Sequence, residues 1–228
     1  MKITLSFLFC SILFSCSPGD SAKGIIEKAI DKIETTQVKK SSFDYGNAKS
    51  GTYKNDYFDF QIKFDTAWTV QNQTELNGLV EQGKKLIKDD GNLEKIIEAS
   101  EINTAYLFAM FKYQVGAAVS FNPSLMAVAE NTKRMPGIKV GKDYLFHAKN
   151  NLQQTKLSYA FDENYTSKKL GNYNFDILTA HLNGYVTPII QEYFASVTDG
   201  FTLSFIISYS SKEERSELYD VLESMKSI

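Results

Sequence analysis

The first clear pattern of hydrophobic and polar positions has a period of two. Between residues 58 and 64 aromatic or aliphatic side chains alternate with polar ones. This period places the two sets on opposite sides of a β-strand, so the segment predicts a strand with an aromatic inner face. Residues 65–67 (Asp-Thr-Ala) predict a turn, and Trp68 and Val70 begin a second strand.

Three later segments have the spacing of helices with one apolar stripe. The first, residues 74–91, has Thr74 as its expected N-cap and Gly91 as its expected C-cap. The second begins at residue 141, and the third begins at Ser211, which forms a capping box with Glu214. The three predicted stripes are Leu76, Leu79, Val80, Leu86 and Ile87; Tyr144, Leu145, Ala148 and Leu152; and Leu218, Val221, Leu222 and Met225.

Apolar or alternating segments predict the remaining strands. They are residues 104–114, 117–122, 125–131, 156–163, 174–182, 187–199 and 201–210. Asp199-Gly200 joins the last two and is a strong hairpin signal. Strands joined by hairpins, with helices between them, predict an α+β fold: an antiparallel sheet flanked by helices on both faces.

The beginning of the chain has the layout of a secretory signal. Lys2 supplies positive charge and residues 3–14 form an apolar run. As a helix this run is only about 18 Å long, too short for the ~30 Å hydrocarbon core of a membrane. Residues 13–16 (Leu-Phe-Ser-Cys) resemble a bacterial lipobox. We therefore expect residues 1–15 to be a lipoprotein signal peptide and Cys16 to be lipid-modified; the alternative is an ordinary cleaved signal with an incidental cysteine.

Residues 16–51 are mostly polar and predict a lipidated N-terminus and tether, followed by a folded domain over residues 52–228. Within the tether, residues 22–36 have the spacing of a short amphipathic helix. This helix would dock on the domain, lie on the bilayer, pair as a short coiled coil, or stay half-formed, since isolated short helices are marginal in water. Ser17, in place of Asp, favours the outer membrane under the enterobacterial sorting convention.

Composition narrows the class of protein. The chain is 43% hydrophobic and 13% aromatic, which is ample for a packed core. Its formal net charge of −2 argues against nucleic acid as a partner, because phosphates are bound mainly by excess Lys and Arg. Both cysteines lie at or before the expected processing site, which excludes thiol nucleophiles and cysteine-ligated zinc in the mature domain.

Catalytic motifs are missing from the sequence. It has no GxSxG elbow, no P-loop and no HExxH, so we expect no catalytic residue, cofactor or metal, and no enzymatic activity. His147 is predicted to be a partly buried structural residue on a helix. His181 is predicted to lie in or beside the core at the end of the sheet, where a role as a base with Asp162 or Glu163 is conceivable.

Two segments resemble the PsbP-like and DcrB-like domains. Residues 53–68 resemble the aromatic strand and tryptophan at their start, and residues 171–182 with 191–228 resemble their final strands and packing helix. The resemblance implies a three-layer α/β/α sandwich, in a group whose known members bind proteins and are mostly not enzymes. They include an extrinsic subunit of the photosynthetic oxygen-evolving complex and a nuclear factor that binds the GTPase Ran.

Together these observations predict a non-enzymatic lipoprotein of the bacterial envelope, held at the outer membrane through its lipid, with a protein-binding or complex-accessory role. The alternative is a small-ligand-binding protein or a hydrolase that uses a cleft near His181. An apolar pocket of roughly a few hundred Å³ or more with convergent polar groups would favour the alternative, and a flat exposed aromatic patch would favour protein binding.

Overall fold

A computed structural model describes residues 43–84 and 103–228. The expected signal peptide, Cys16 and the amphipathic helix over residues 22–36 lie outside the described residues. Within the described residues, no helix has the length and apolar character needed to cross a membrane.

The described residues form eleven strands and three helices. The strands are β1 (Asn47–Lys49), β2 (Thr52–Asn55), β3 (Phe60–Lys63), β4 (Thr69–Val70), β5 (Thr104–Phe111), β6 (Ser124–Asn131), β7 (Ser158–Phe161), β8 (Thr166–Leu170), β9 (Tyr173–Asn183), β10 (Ile189–Thr198) and β11 (Phe201–Tyr209). The helices are α1 (Gln73–Lys84), α2 (Gly141–Leu152) and α3 (Lys212–Glu223). The predicted α+β class is confirmed.

The strands form two antiparallel sheets. The larger sheet has the order β4-β5-β6-β11-β10-β9-β7, with β8 also paired to β9, and the smaller sheet has the order β1-β2-β3. The central strands β10 and β11 are joined by Asp199 and Gly200, whose φ angles of 48° and 77° are those of a tight hairpin turn. The sequence-predicted hairpin is therefore present.

Helices cover both faces of the larger sheet. Leu76 and Leu79 of α1 and the stripe predicted for α2 pack on one face, where Tyr144, Leu145, Ala148 and Leu152 are fully buried. The other predicted residues of the first helix, Leu86, Ile87 and the C-cap Gly91, lie outside the described residues. The stripe of α3 packs on the other face, together with the small sheet and an aromatic layer. The main buried aromatics of that layer are Tyr53, Phe60, Phe108, Phe175, Phe194 and Phe205. The predicted arrangement of helices on both faces is confirmed.

The small sheet includes residues that the sequence assigned to the tether. Ser50 and Gly51 have φ angles of 49° and 73° and turn β1 back onto β2. The Asp44 carboxylate accepts the N–H groups of Gly46 at 2.8 Å and Asp56 at 2.9 Å. Residues 43–51 therefore pack with the domain, because the polar and glycine residues that indicated a linker also form a hairpin turn.

Two local expectations are wrong. Residues 117–122 form a loop, not a strand. Asn122 fixes this loop, because its side-chain oxygen accepts the Tyr113 N–H and its side-chain amide donates to the Tyr113 carbonyl, both at 2.9 Å. The N-cap of α1 is Asn72 instead of Thr74. The Asn72 N–H donates to the Glu75 carboxylate at 2.8 Å, and the Glu75 N–H donates to the Asn72 side-chain oxygen at 3.0 Å. These two hydrogen bonds form a complete capping box.

The edges of the larger sheet are short. At one edge β4 contributes only two residues, and beyond it the Gln71 N–H donates to the Ala109 carbonyl at 2.9 Å. The Gln73 side-chain amide then donates to the Tyr106 carbonyl at 3.0 Å. At the other edge lie β7, a strand of four residues, and β8, a strand of five, both paired with β9.

Candidate functional site

An open groove of about 580 Å³ lies between the β3–β4 connection and α3. Three aromatic side chains line it: Phe64, Trp68 and Tyr113. Charged side chains of both signs form its rim, namely Lys63, Asp65, Lys112, Glu217 and Asp220. The chain has a single tryptophan, so Trp68 is a unique feature of this groove.

The predicted turn at Asp65 places Trp68 beside the groove. The Asp65 side chain accepts the Ala67 N–H at 2.9 Å, and its carbonyl accepts the Trp68 N–H at 3.0 Å. Phe64 is half-buried and its ring centre lies 5.4 Å from that of Phe108 in the core. The two aromatic side chains are therefore fixed by the turn and by the core, and both remain accessible from the groove.

An ion pair forms part of the lining of the groove. The Lys112 ammonium donates to both carboxylate oxygens of Glu217, at 2.6 and 2.8 Å, and so joins the end of β5 to α3. This hydrogen bond raises the pKa of Lys112. Tyr113, the next residue, is 42% exposed and lies directly beside the pair.

The wall of the groove formed by α3 is held to the sheet by a buried carboxylate. Glu192 of β10 is only 4% exposed and accepts hydrogen bonds from Tyr209 at 2.6 Å, from the Arg215 Nε at 2.7 Å and from the Tyr219 hydroxyl. Burial and the hydrogen bond to this carboxylate raise the pKa of Tyr209 and of Tyr219. The Arg215 guanidinium also stacks on Tyr219, at 4.1 Å from the ring centre.

The far end of α3 is joined to β3. The Ser224 hydroxyl accepts the Lys63 N–H at 2.7 Å and donates to the Val221 carbonyl at 2.6 Å. Both ends of α3 are thus fixed, which gives the groove a rigid wall. No sequence pattern predicted this groove; the only signal for the Glu192 network was a single acidic residue within an otherwise buried strand.

The two histidines lie outside the groove. His181 Nε2 is 2.8 Å from Asp162 Oδ1, so the pairing considered from the sequence is present, and both side chains are about half exposed, 42% and 53%. His181 is therefore more exposed than the sequence indicated. His147 is partly buried on α2, as predicted, with its ring packed edge-on against Phe146. Among the described residues, no group of three acidic, histidine or cysteine side chains is placed to hold a metal ion.

The chain matches no protein-family model and no curated protein in the sequence comparisons. Solved structures with a similar fold include the PsbP protein of the cyanobacterium Synechocystis sp. PCC 6803. It is 9% identical, with a TM-score of 0.46, over 80% of this chain and 96% of that one.

Two further structures are similar in fold. LpqN, involved in cell envelope biogenesis of Mycobacterium tuberculosis, is 11% identical with a TM-score of 0.41, over 73% of this chain and 82% of that one. A protein of Bacteroides thetaiotaomicron is 9% identical with a TM-score of 0.42, over 79% of this chain. The match covers 49% of the Bacteroides protein, so this chain spans about half of its length.

Proposed function

We propose that this chain is a non-enzymatic lipoprotein of the bacterial envelope whose domain binds a protein partner through the groove beside α3. The observation that carries the proposal is the set of three accessible aromatic side chains, Phe64, Trp68 and Tyr113, on rigid supports. Tryptophan and tyrosine are enriched at protein interfaces, because they bury large apolar area and lose little conformational freedom.

The shape of the groove favours a segment of protein over a small ligand. Small-ligand pockets enclose most of the surface of their ligand. This groove is open to solvent, and Tyr113 stays 42% exposed. Charges of both signs along the rim, including the Lys112–Glu217 pair, would set the orientation of a bound chain.

The proposed anchor is the lipid on Cys16. Each buried CH₂ contributes about 0.8 kcal/mol, so a single acyl chain binds reversibly and two or more hold the protein stably at a membrane. The outer membrane is the proposed location, since Ser17 follows the cysteine. Cys16→Ala is expected to release the protein from membranes and to stop fatty-acid labelling; an unchanged membrane fraction would contradict the anchor.

The groove is tested by site-specific photo-crosslinking in native membranes. A photoreactive phenylalanine analogue replaces Tyr113 in the groove or, as the matched control, Tyr57, which is 48% exposed and lies elsewhere. A discrete adduct is expected from position 113 only, and Trp68→Ala should reduce it at least several-fold. The same adduct from both positions, or one that Trp68→Ala leaves unchanged, would show that the groove is not the binding site.

A second candidate is a hydrolase or small-ligand binder that uses His181. The 2.8 Å contact with Asp162 favours it, because a carboxylate that orients an imidazole is one part of many general-base sites. Loss of a measured turnover in His181→Ala, with an unchanged urea unfolding midpoint, would establish this function in place of the non-enzymatic one.

A further inference from the structure

Two segments on opposite faces of the larger sheet carry opposite charge. Residues 133–149 include five basic residues and one acidic residue, in a chain with a net charge of −2. The helix α3, on the other face of the sheet, has five acidic and two basic residues. We call the first surface the basic layer; its charged members are Lys133, Arg134, Lys139, Lys142 and Lys149, with Asp143.

The loop that begins the basic layer is held in place by its own apolar residues. Met135 and Ile138 are buried in the core beneath α2, at 9% and 7% exposure. Before and after them in the chain, Lys133, Arg134 and Lys139 are exposed. The cations are therefore presented by a fixed loop, and little conformational freedom is lost when they contact a charged surface.

Two acidic side chains near the basic layer are hydrogen-bonded to the backbone at the start of α2. The Asp143 carboxylate accepts the N–H groups of Lys139 at 2.9 Å and Val140 at 3.1 Å. Asp176, on β9, accepts the Lys142 N–H at 2.8 Å. These two carboxylates therefore bind the backbone of the helix terminus. The Lys142 ammonium lies over the Tyr165 ring, 5.3 Å from its centre.

Two large apolar side chains are exposed among these cations. Val140 is 52% exposed and Phe146 is 55% exposed. Lys142, Phe146 and Lys149 are spaced four and three residues apart, so they share the outer face of α2. Lysine and arginine around exposed apolar residues are typical of a surface that lies in the headgroup region of an anionic membrane.

The N-terminal segment enters the domain beside the basic layer. The Phe43 ring centre lies 6.1 Å from that of Phe201, at the β10–β11 turn. The Lys133 ammonium lies over the same Phe201 ring, at 5.3 Å from its centre. A tether that leads from residue 43 toward a membrane thus starts at the end of the molecule where the basic loop lies.

We propose that the basic layer rests on an anionic phospholipid surface, which turns α3 and the groove away from the membrane. The inference extends the proposed anchoring, since it gives the tethered domain one orientation. The proposed contact is formed by the lysine and arginine side chains, Val140 and Phe146 of the basic layer with anionic headgroups. This contact does not require the lipid on Cys16.

The test uses the single tryptophan of the full chain. Phe146→Trp in a Trp68→Phe background moves the only indole to the basic layer. Vesicles of equal parts phosphatidylglycerol and phosphatidylcholine carry brominated acyl chains, which quench an indole that enters the bilayer. The emission of the Phe146→Trp probe is expected to fall at least two-fold, while the wild-type chain, with Trp68 in the groove, keeps its emission.

A pair of charge-matched variants tests the electrostatic part. Lys139→Glu with Lys142→Glu reverses two charges of the basic layer, and Lys63→Glu with Lys212→Glu reverses two elsewhere. Because each basic residue near an anionic surface contributes about 1 kcal/mol, the first variant should lose at least about tenfold in vesicle affinity. The second should change it much less.

The outcomes separate this inference from the proposed anchor. An unquenched Phe146→Trp probe on a chain that is acylated at Cys16 would overturn the inference and leave the anchor intact. Equal quenching on pure phosphatidylcholine, or equal losses in the two charge variants, would also overturn it. If the Lys139→Glu and Lys142→Glu variant keeps vesicle binding but loses a crosslink to an acidic protein, the layer binds protein and the inference is wrong. Quenching on anionic vesicles by a chain that lacks acylation would support the inference independently of the anchor.

Discussion

Glu192 shows how a single buried carboxylate can be held in this fold. An ionised side chain loses much of its solvation when buried, and the loss is tolerated only where charged or hydrogen-bonded partners replace the water. Glu192 has three such partners, Tyr209, Tyr219 and Arg215. Arg215 is 45% exposed, so the guanidinium keeps part of its hydration while it neutralises the buried charge.

We expect Glu192→Gln to lower the free energy of unfolding by roughly 3 kcal/mol, since the amide places its own N–H donors against donors from tyrosine and arginine. Urea denaturation followed by far-ultraviolet circular dichroism measures the change. The matched control is Glu223→Gln, because Glu223 pairs with Lys168 at 2.6 Å near the surface. That variant should lose less than about 1 kcal/mol, and equal losses would mean that the buried network is not stabilising.

At the scale of elements, α3 begins with a complete capping box. The Ser211 hydroxyl accepts the Glu214 N–H at 3.2 Å, and the Glu214 carboxylate accepts the Ser211 N–H at 3.2 Å. These bonds satisfy donors that the first turn of a helix leaves without partners. Since α3 forms the wall of the groove, its first turn also supports the site.

Ser211→Ala is expected to lower the stability of the domain by about 1 kcal/mol, because the side-chain cap is lost. Ser216→Ala is the matched control: Ser216 is exposed within α3, where alanine is the better helix former, so its effect should be neutral or slightly stabilising. Thermal or urea unfolding of both variants makes the comparison. A loss of stability in Ser216→Ala as large as in Ser211→Ala would contradict the role of the cap.

Features that depend on neighbours in the sequence were predictable, and features that depend on docking were not. The capping box at Ser211 and the hairpin at Asp199 are formed by residues at most three positions apart. The groove joins Lys112 to Glu217, 105 residues away, and the Glu192 network reaches 17 to 27 residues along the chain. Such contacts are set by strand register and by where α3 packs, which no local pattern specifies.

Local patterns also fail where a side chain replaces backbone pairing. Residues 117–122 have the composition of a strand, yet Asn122 pairs with the backbone of Tyr113 and closes a loop instead. Asn72 and Thr74 are both suitable N-caps by composition, and only Asn72 has a glutamate three residues later. The capping-box spacing therefore identifies Asn72, and not Thr74, as the start of α1.

The whole molecule is built around three long strands that are covered on both faces. The strands β6, β11 and β10 are neighbours at the centre of the larger sheet, and nearly all of their residues are buried. Backbone amides in such strands exchange only through large-scale opening of the domain.

We expect the slowest amide hydrogen exchange in β6, β10 and β11, and much faster exchange in β7, whose residues are alternately exposed and partly buried. Hydrogen exchange with mass spectrometry of peptic peptides measures this order at neutral pH. Protection of β7 equal to that of β10 would mean that the edge of the sheet opens only when the whole domain unfolds.

The short edges of the larger sheet affect how copies of the domain behave when they are crowded. A long unpaired strand edge is a template on which another chain can add its own strand and begin to aggregate. Here β4 covers two residues of β5, and the Gln71 backbone and the Gln73 side chain occupy two further carbonyls along it. Domains concentrated in two dimensions on one bilayer would therefore find little open backbone along this strand to share, which favours separate molecules over a growing fibre.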